Sequence, residues 1–145
     1  SNQKLACGGT MSYPAMVEAG ADVRLGTDGV ASNNSLDLRK EAKIASLIQR
    51  HDHWDASILD PDETWRLATK GSVDWVTWDI DDIRMRPYGV NGRRLLANLL
   101  YSDSRCMDVF VDGVAVRKDG VTVTLDERKV GVDLENAARE YYKGI

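Results

Sequence analysis

Two Asp-Gly pairs, Asp112-Gly113 and Asp119-Gly120, interrupt the alternating stretch MDVFVDGVAVRKDGVTVTLD, and they constrain the fold more than any other feature of the chain. The common type I′ two-residue hairpin turn needs positive φ at both central positions, which Asn, Asp and Gly adopt more readily than other residues. Three successive antiparallel strands are therefore expected here. Upstream, SVDWVTWDI also has a period of two, with Val73, Trp75, Thr77 and Asp79 opposite Asp74, Val76, Trp78 and Ile80. That pattern predicts a further strand with large residues on both faces.

The chain before Lys70 reads differently. SYPAMVEAG is expected to be a short helix, with Ser12 as cap, Pro14 in the first turn and Gly20 ending it in the left-handed region. ADVRLG follows at once as a predicted strand with Val23 and Leu25 on one face, the αβ half of a βαβ unit. In LDLRKEAKIASLIQR, helical spacing puts Leu38, Ala42, Ala45 and Ile48 or Leu47 on one side and Arg39, Lys40, Lys43 and Gln49 on the other. HDHWDASIL breaks that pattern. A second helix should open at Asp60, with Pro61 first and Glu63 three residues after the cap, and run to about Thr69. LLANLLYS reads as a short apolar helix, and VDLENAAREYYKGI as a C-terminal one.

Composition narrows the functional classes. The chain has 145 residues, 43% hydrophobic and 29% charged, and a formal net charge of -4. These values describe a globular domain with no nucleic-acid footprint. No apolar run reaches the length of a membrane span, and Ser1–Gly9 is polar and Gly-rich, unlike a signal peptide, so a cytoplasmic protein without a membrane partner is expected. Cys7 and Cys106 lie far apart, outside any metal-ligand spacing, and read as small buried thiols.

The candidate site is LGTDGVASNNSLD. Asp28 stands between Thr27 and Gly29, at the end of the predicted strand, with Gly26 and Gly29 permitting close backbone approach. In α/β folds functional groups gather at the carboxyl ends of strands, and a carboxylate there can bind a metal or accept a proton. Asp before Gly is equally a turn signal, so taken alone Asp28 leaves both readings open.

The segments SNQKLACGG, MVEAGADVRLGTDGVASNNSLDL, EAKIASLIQR and DPDETWRLAT together resemble the C-terminal part of the metal-dependent amidohydrolase superfamily. Within it the pattern is most similar to the cytosine deaminase-like and chlorohydrolase-like enzymes, especially deaminases of 5'-methylthioadenosine and S-adenosylhomocysteine. VDWVTWDIDDIRMRP and NLLYSDSRCMDVFVDGVAVRKDGVTVTLDERKV look like the β-rich subdomain that closes those proteins. The resemblance is collinear and covers nearly the whole chain.

It implies an α/β fold: the last βα units of a (β/α)8 barrel over residues 1–70, a β-rich, sandwich-like composite subdomain over 71–130, and a C-terminal helix over 131–145. It also implies one divalent metal, zinc or iron, held by histidines and one aspartate from different strands. Asp28 matches that aspartate, a metal ligand that takes a proton from the attacking water. The activated water then attacks the ring carbon bearing the amino group, and ammonia leaves. Ser32 and Asn33 match the loop near the substrate, and Asn2 lies in the segment matching the one after strand seven. For these loop residues, turn formation and helix capping compete with substrate contact.

The departures from the family pattern are as informative as the match. The family's histidine ligands and its proton-shuttling glutamate have no counterpart here. His51-Asp52-His53 has the form HxH, but it follows an amphipathic helix rather than an apolar strand, so it is read as structural or exposed. The helix ending at Thr69 joins the strand at Val73 through Lys70-Gly71-Ser72, where the family carries a longer stretch. The expectation is a C-terminal portion of a longer enzyme whose N-terminal portion supplies the other ligands. Its substrate would be a small amino-heterocycle, and homo-oligomers are expected. The alternative is a non-catalytic remnant or interaction module of the same fold.

Overall fold

Ser12 turns the chain into its first helix. In a computed structural model, which describes residues 9–89 and 91–143, α1 spans Tyr13–Glu18, with the Ser12 side chain accepting from Ala15 N and Pro14 in the first turn. Gly20 follows at φ +77°. The described residues form two compact units. One gathers the chain up to Gly71 with Asp81–Asp103, and the other joins Ser72–Ile80 to the chain from Ser104 onward.

In the first unit the predicted strand ADVRLG is extended but joins no ladder among the described residues. A strand is defined by its neighbours' hydrogen bonds, and here one backbone bond, Leu25 N to Leu67 O at 3.2 Å, stands in for them. The alternation itself survives: Val23 and Leu25 pack against a core of Tyr13, Leu59 and Leu67, while Asp22, Arg24, Gly26 and Asp28 are exposed.

The second helix, α2, spans Leu38–His53, capped by the Asp37 side chain and closed by Trp54 at φ +53°. It runs through the histidines, past the break expected at His51. Its faces also differ from the predicted ones. Arg39, Glu41, Ala42, Ser46 and Gln49 are buried, whereas Leu47 and Ile48 are exposed. The cause is long-range polar pairing. The Gln49 side chain accepts from Tyr13 N at 2.9 Å and donates to Met11 O at 2.5 Å. Ala42 and Ser46 are small enough for close helix approach.

Helix α3 spans Pro61–Thr69, and Asp60 accepts from Glu63 N as the sequence predicts. Helix α4 spans Gly92–Tyr101 and packs on α3 and α2, with Trp65 Nε1 donating to Leu96 O at 3.0 Å. This packing places Asp81–Asp103 in the first unit, although the sequence sets it within the β-rich stretch. Arg50 fastens the end of α2, donating to Ile58 O, Leu59 O and the Tyr101 hydroxyl at 2.9, 2.7 and 2.7 Å.

The second unit holds one antiparallel sheet in the order β1-β2-β3-β4: Trp75–Trp78, Cys106–Val111, Val114–Lys118 and Val121–Thr122. Both Asp-Gly pairs form their turns, with φ +48° and +77° at Asp112-Gly113 and +51° and +79° at Asp119-Gly120. Trp75 stacks on its cross-strand partner Phe110, ring centroids 3.8 Å apart. Cys106 is half-buried in β2, and Cys7 lies outside the described residues. Helix α5, Glu127–Tyr142, starts earlier than predicted because the Asp126 side chain caps Lys129 N at 3.0 Å. No helix among the described residues is long and apolar enough to cross a membrane.

Candidate active site

Asp28 ends the extended segment in the left-handed region, at φ +59°. An L-residue other than Gly occupies that region at a cost, and Asp and Asn bear it best because their short side chains bond locally. Gly29 N donates to Asp28 Oδ1 at 2.7 Å, and the Thr27 hydroxyl donates to Asp28 O at 3.3 Å. The Gly29 N–H, and after it the Ser32 hydroxyl, hold the exposed Asp28 carboxyl below the usual carboxylate range. Asp28 is therefore an ionised carboxylate facing outward on a fixed turn, able to ligate a cation or accept a proton.

The loop after it folds back on Gly29. Ser32 N and Asn33 N both donate to Gly29 O at 3.0 Å, as does the Ser32 hydroxyl. Ser32 is half-buried beside Asp28. Asn33 is wholly buried, and its Nδ2 donates to Thr27 O at 2.9 Å and to Glu41 Oε1 at 2.7 Å, while its Oδ1 accepts from Ser35 N at 2.9 Å. Both amide hydrogens are spent within the fold, which leaves Asn33 none to offer a substrate. Asn2, the remaining candidate, lies outside the described residues.

Sequence reasoning brought Asp28, Ser32 and Asn33 to one loop but missed Glu41, which is 2% exposed in the first turn of α2. The available signal was a Glu at a helical position four residues after Asp37, where periodicity alone reads a solvated charge. The two histidines stand apart from this loop. His53 closes α1 onto α2, its Nδ1 3.0 Å from Gln49 O and its Nε2 3.2 Å from the Ser12 hydroxyl, while His51 is exposed beside Trp54. Among the described residues no group of three or more His, Cys, Asp or Glu is placed to hold a metal ion.

Comparisons with known proteins agree with the resemblance. A 5-methylthioadenosine/S-adenosylhomocysteine deaminase of Bacillus cytotoxicus is 34% identical over 161 aligned positions, covering 100% of this chain and 36% of that protein. Its counterpart in Archaeoglobus fulgidus, 5-methylthioadenosine/S-adenosylhomocysteine deaminase 1, is 33% identical, covering 99% and 37%. The chain thus spans about a third of the length of the curated relatives it matches. The 161 aligned positions exceed the chain's 145 residues, so the Bacillus protein carries residues within the matched region that this chain lacks.

Among solved structures, an adenosine deaminase from Xanthomonas campestris with bound zinc superposes with a TM-score of 0.76 at 24% identity, covering 90% of this chain and 33% of that one. An amidohydrolase from a Sargasso Sea environmental sample gives 0.68 at 22% identity, covering 92% and 34%. Both likenesses establish an α/β fold of that type. The model of the amidohydrolase family matches residues 1–79, just over half of the chain and the whole of the Asp28 loop, so the chain belongs to the amidohydrolase family.

Proposed function

We propose that this chain is the C-terminal portion of a metal-dependent hydrolase that deaminates an amino-heterocycle and releases ammonia. The substrate class is an adenosine derivative such as 5'-methylthioadenosine or S-adenosylhomocysteine, or a pyrimidine or triazine. The observation that carries this reading is Asp28: an exposed, ionised carboxylate in a left-handed turn at the end of an alternating extended segment. It lies inside the family match, in a chain whose relatives bear the deaminase name.

In this reading the extended segment 21–26 is a strand of a (β/α)8 barrel whose neighbours come from the rest of the enzyme. The four-stranded sheet belongs to a β-sandwich subdomain completed in the same way. The protein is cytoplasmic and assembles as a homo-oligomer.

Asp28 fits one place in a metal's ligand set, because its carboxylate is a hard oxygen donor, exposed and already deprotonated. The other ligands come from outside the described residues. Zinc, or iron, would lower the pKa of a water there into the neutral range, making it a usable nucleophile. Asp28 would serve as a ligand and as the proton acceptor there, with the Gly29 N–H on Oδ1 orienting its carboxylate. Ser32, beside Asp28, is assigned a substrate contact from the family pattern. Asn33 holds the loop through both amide hydrogens, so its substrate contact would be made through Oδ1, and Asn2 keeps its assignment as a substrate contact from the family pattern.

Metal analysis and ammonia release on the complete protein test this reading. Zinc or iron near one per chain, with ammonia released from 5'-methylthioadenosine or S-adenosylhomocysteine, is the expected result. A complete protein that is metal-free and inactive on every amino-heterocycle tried returns the non-catalytic reading.

A further inference from the structure

We propose that Glu41 is a positioning residue for Asp28, acting through Asn33. The inference rests on the reading of Asp28 as the metal-side carboxylate. A residue held at φ +59° needs its turn fixed from outside, because the conformation is not one an Asp prefers in isolation. The bonds from Gly29, Ser32 and Asn33 main chain close the loop on itself but do not attach it to the fold. One buried attachment is the Asn33 side chain. Its Nδ2 carries two hydrogens, one on Thr27 O, the carbonyl immediately before Asp28, and the other on Glu41 Oε1.

Glu41 belongs to a helix 16 residues long whose far end is fastened by Arg50. Asn33 and Glu41 are 0% and 2% exposed, so water cannot replace the bond between them without opening the site. The Asp28 turn therefore takes its position from the first turn of α2. A Glu with only a packing role has no need to present an acceptor there, and this distinction is testable.

The experiment measures zinc affinity by chelator competition, with melting temperature alongside, in the complete protein bearing Glu41→Met, Glu41→Gln or Asp28→Asn. Met keeps the shape and removes the acceptor, and Gln keeps both. Glu41→Met should weaken zinc binding about 10–100-fold, the usual cost of losing a partner that orients a metal ligand, and Glu41→Gln should recover most of it. Parent-like zinc affinity in Glu41→Met, with Asp28→Asn impaired, overturns the positioning role and leaves the metal reading intact. Unchanged affinity in Asp28→Asn overturns the metal reading, and the inference falls with it. Loss in Glu41→Met that Glu41→Gln does not recover also overturns the inference. If Glu41→Met does not fold, Asn33→Ala breaks the same relay from the loop side, and normal zinc binding by that variant is contradictory.

Discussion

Three Asp-Gly pairs in this chain put their aspartate in the left-handed region, and they are held there in two different ways. At Asp112-Gly113 and Asp119-Gly120 the glycine is left-handed as well, and strands on both sides pair directly: Val111 faces Val114, and Lys118 faces Val121. At Asp28-Gly29 the glycine is not left-handed, and no ladder flanks the turn among the described residues. The turn is fixed by buried side chains, Asn33 and Glu41, that belong to the loop and to the next helix. A hairpin turn is specified by local chemistry and leaves its aspartate nothing further to do. A turn held from a distance keeps its carboxylate facing outward.

Several substitutions press on that difference. The largest effect is expected from Asn33→Ala, which strips partners from Thr27 O, Ser35 N and Glu41 Oε1. Losing the buried Glu41 bond costs about 1–3 kcal/mol and the half-buried Thr27 and Ser35 bonds less, which denaturant unfolding of the complete protein would register. A loss no greater than that of a surface substitution would break the claim that the Asp28 turn is held from inside. Gly113→Ala comes next, because it places a Cβ at φ +77° and should cost about 1–2 kcal/mol. Gly29→Ala meets neither a positive φ nor an atom within 4 Å, so it should leave stability within about 0.5 kcal/mol of the parent. Equal losses at the two glycines would erase the contrast.

A fourth substitution tests the buried polar pairing of the first unit by pH. Burial, and after it the bond to Glu63, raises the Tyr13 hydroxyl from 10.0 to about 12. Its contribution is fully present below pH 10.0 and is lost as pH rises toward about 12, because the unfolded chain releases the proton first. Alkaline unfolding of Tyr13→Phe should lack that segment of pH dependence. A curve parallel to the parent's would show that the pair contributes nothing. The smallest effect belongs to Asp112→Asn. Asn also accepts the left-handed region, so the expected change is within about 0.5 kcal/mol.

The same contrast governs how much could be read beforehand. The hairpins, the Asp60 cap and the apolar helix α4 were legible because each depends on neighbours in sequence. The faces of α2 were not, because Gln49 is buried by Tyr13 and Met11, residues distant in the chain, while Leu47 and Ile48 stay 48% and 39% exposed. Segment 21–26 kept its alternation but not its ladder, since pairing partners are a property of the whole sheet. The HxH string belongs to the last turn of α2, where His53 joins Ser12 and Gln49. At the site, Asp28 stood out through its place in the pattern. Glu41 did not, because burial of a carboxylate is invisible to helical periodicity.

The most direct measurement compares the two kinds of aspartate by activity. Ammonia release from 5'-methylthioadenosine by the complete, zinc-loaded protein should fall about 10²–10⁴-fold in kcat/KM with Asp28→Asn, the range for losing a positioned proton acceptor. It should be unchanged with Asp112→Asn. A parent-like kcat/KM in Asp28→Asn would contradict the account and leave Asp28 as one more turn residue.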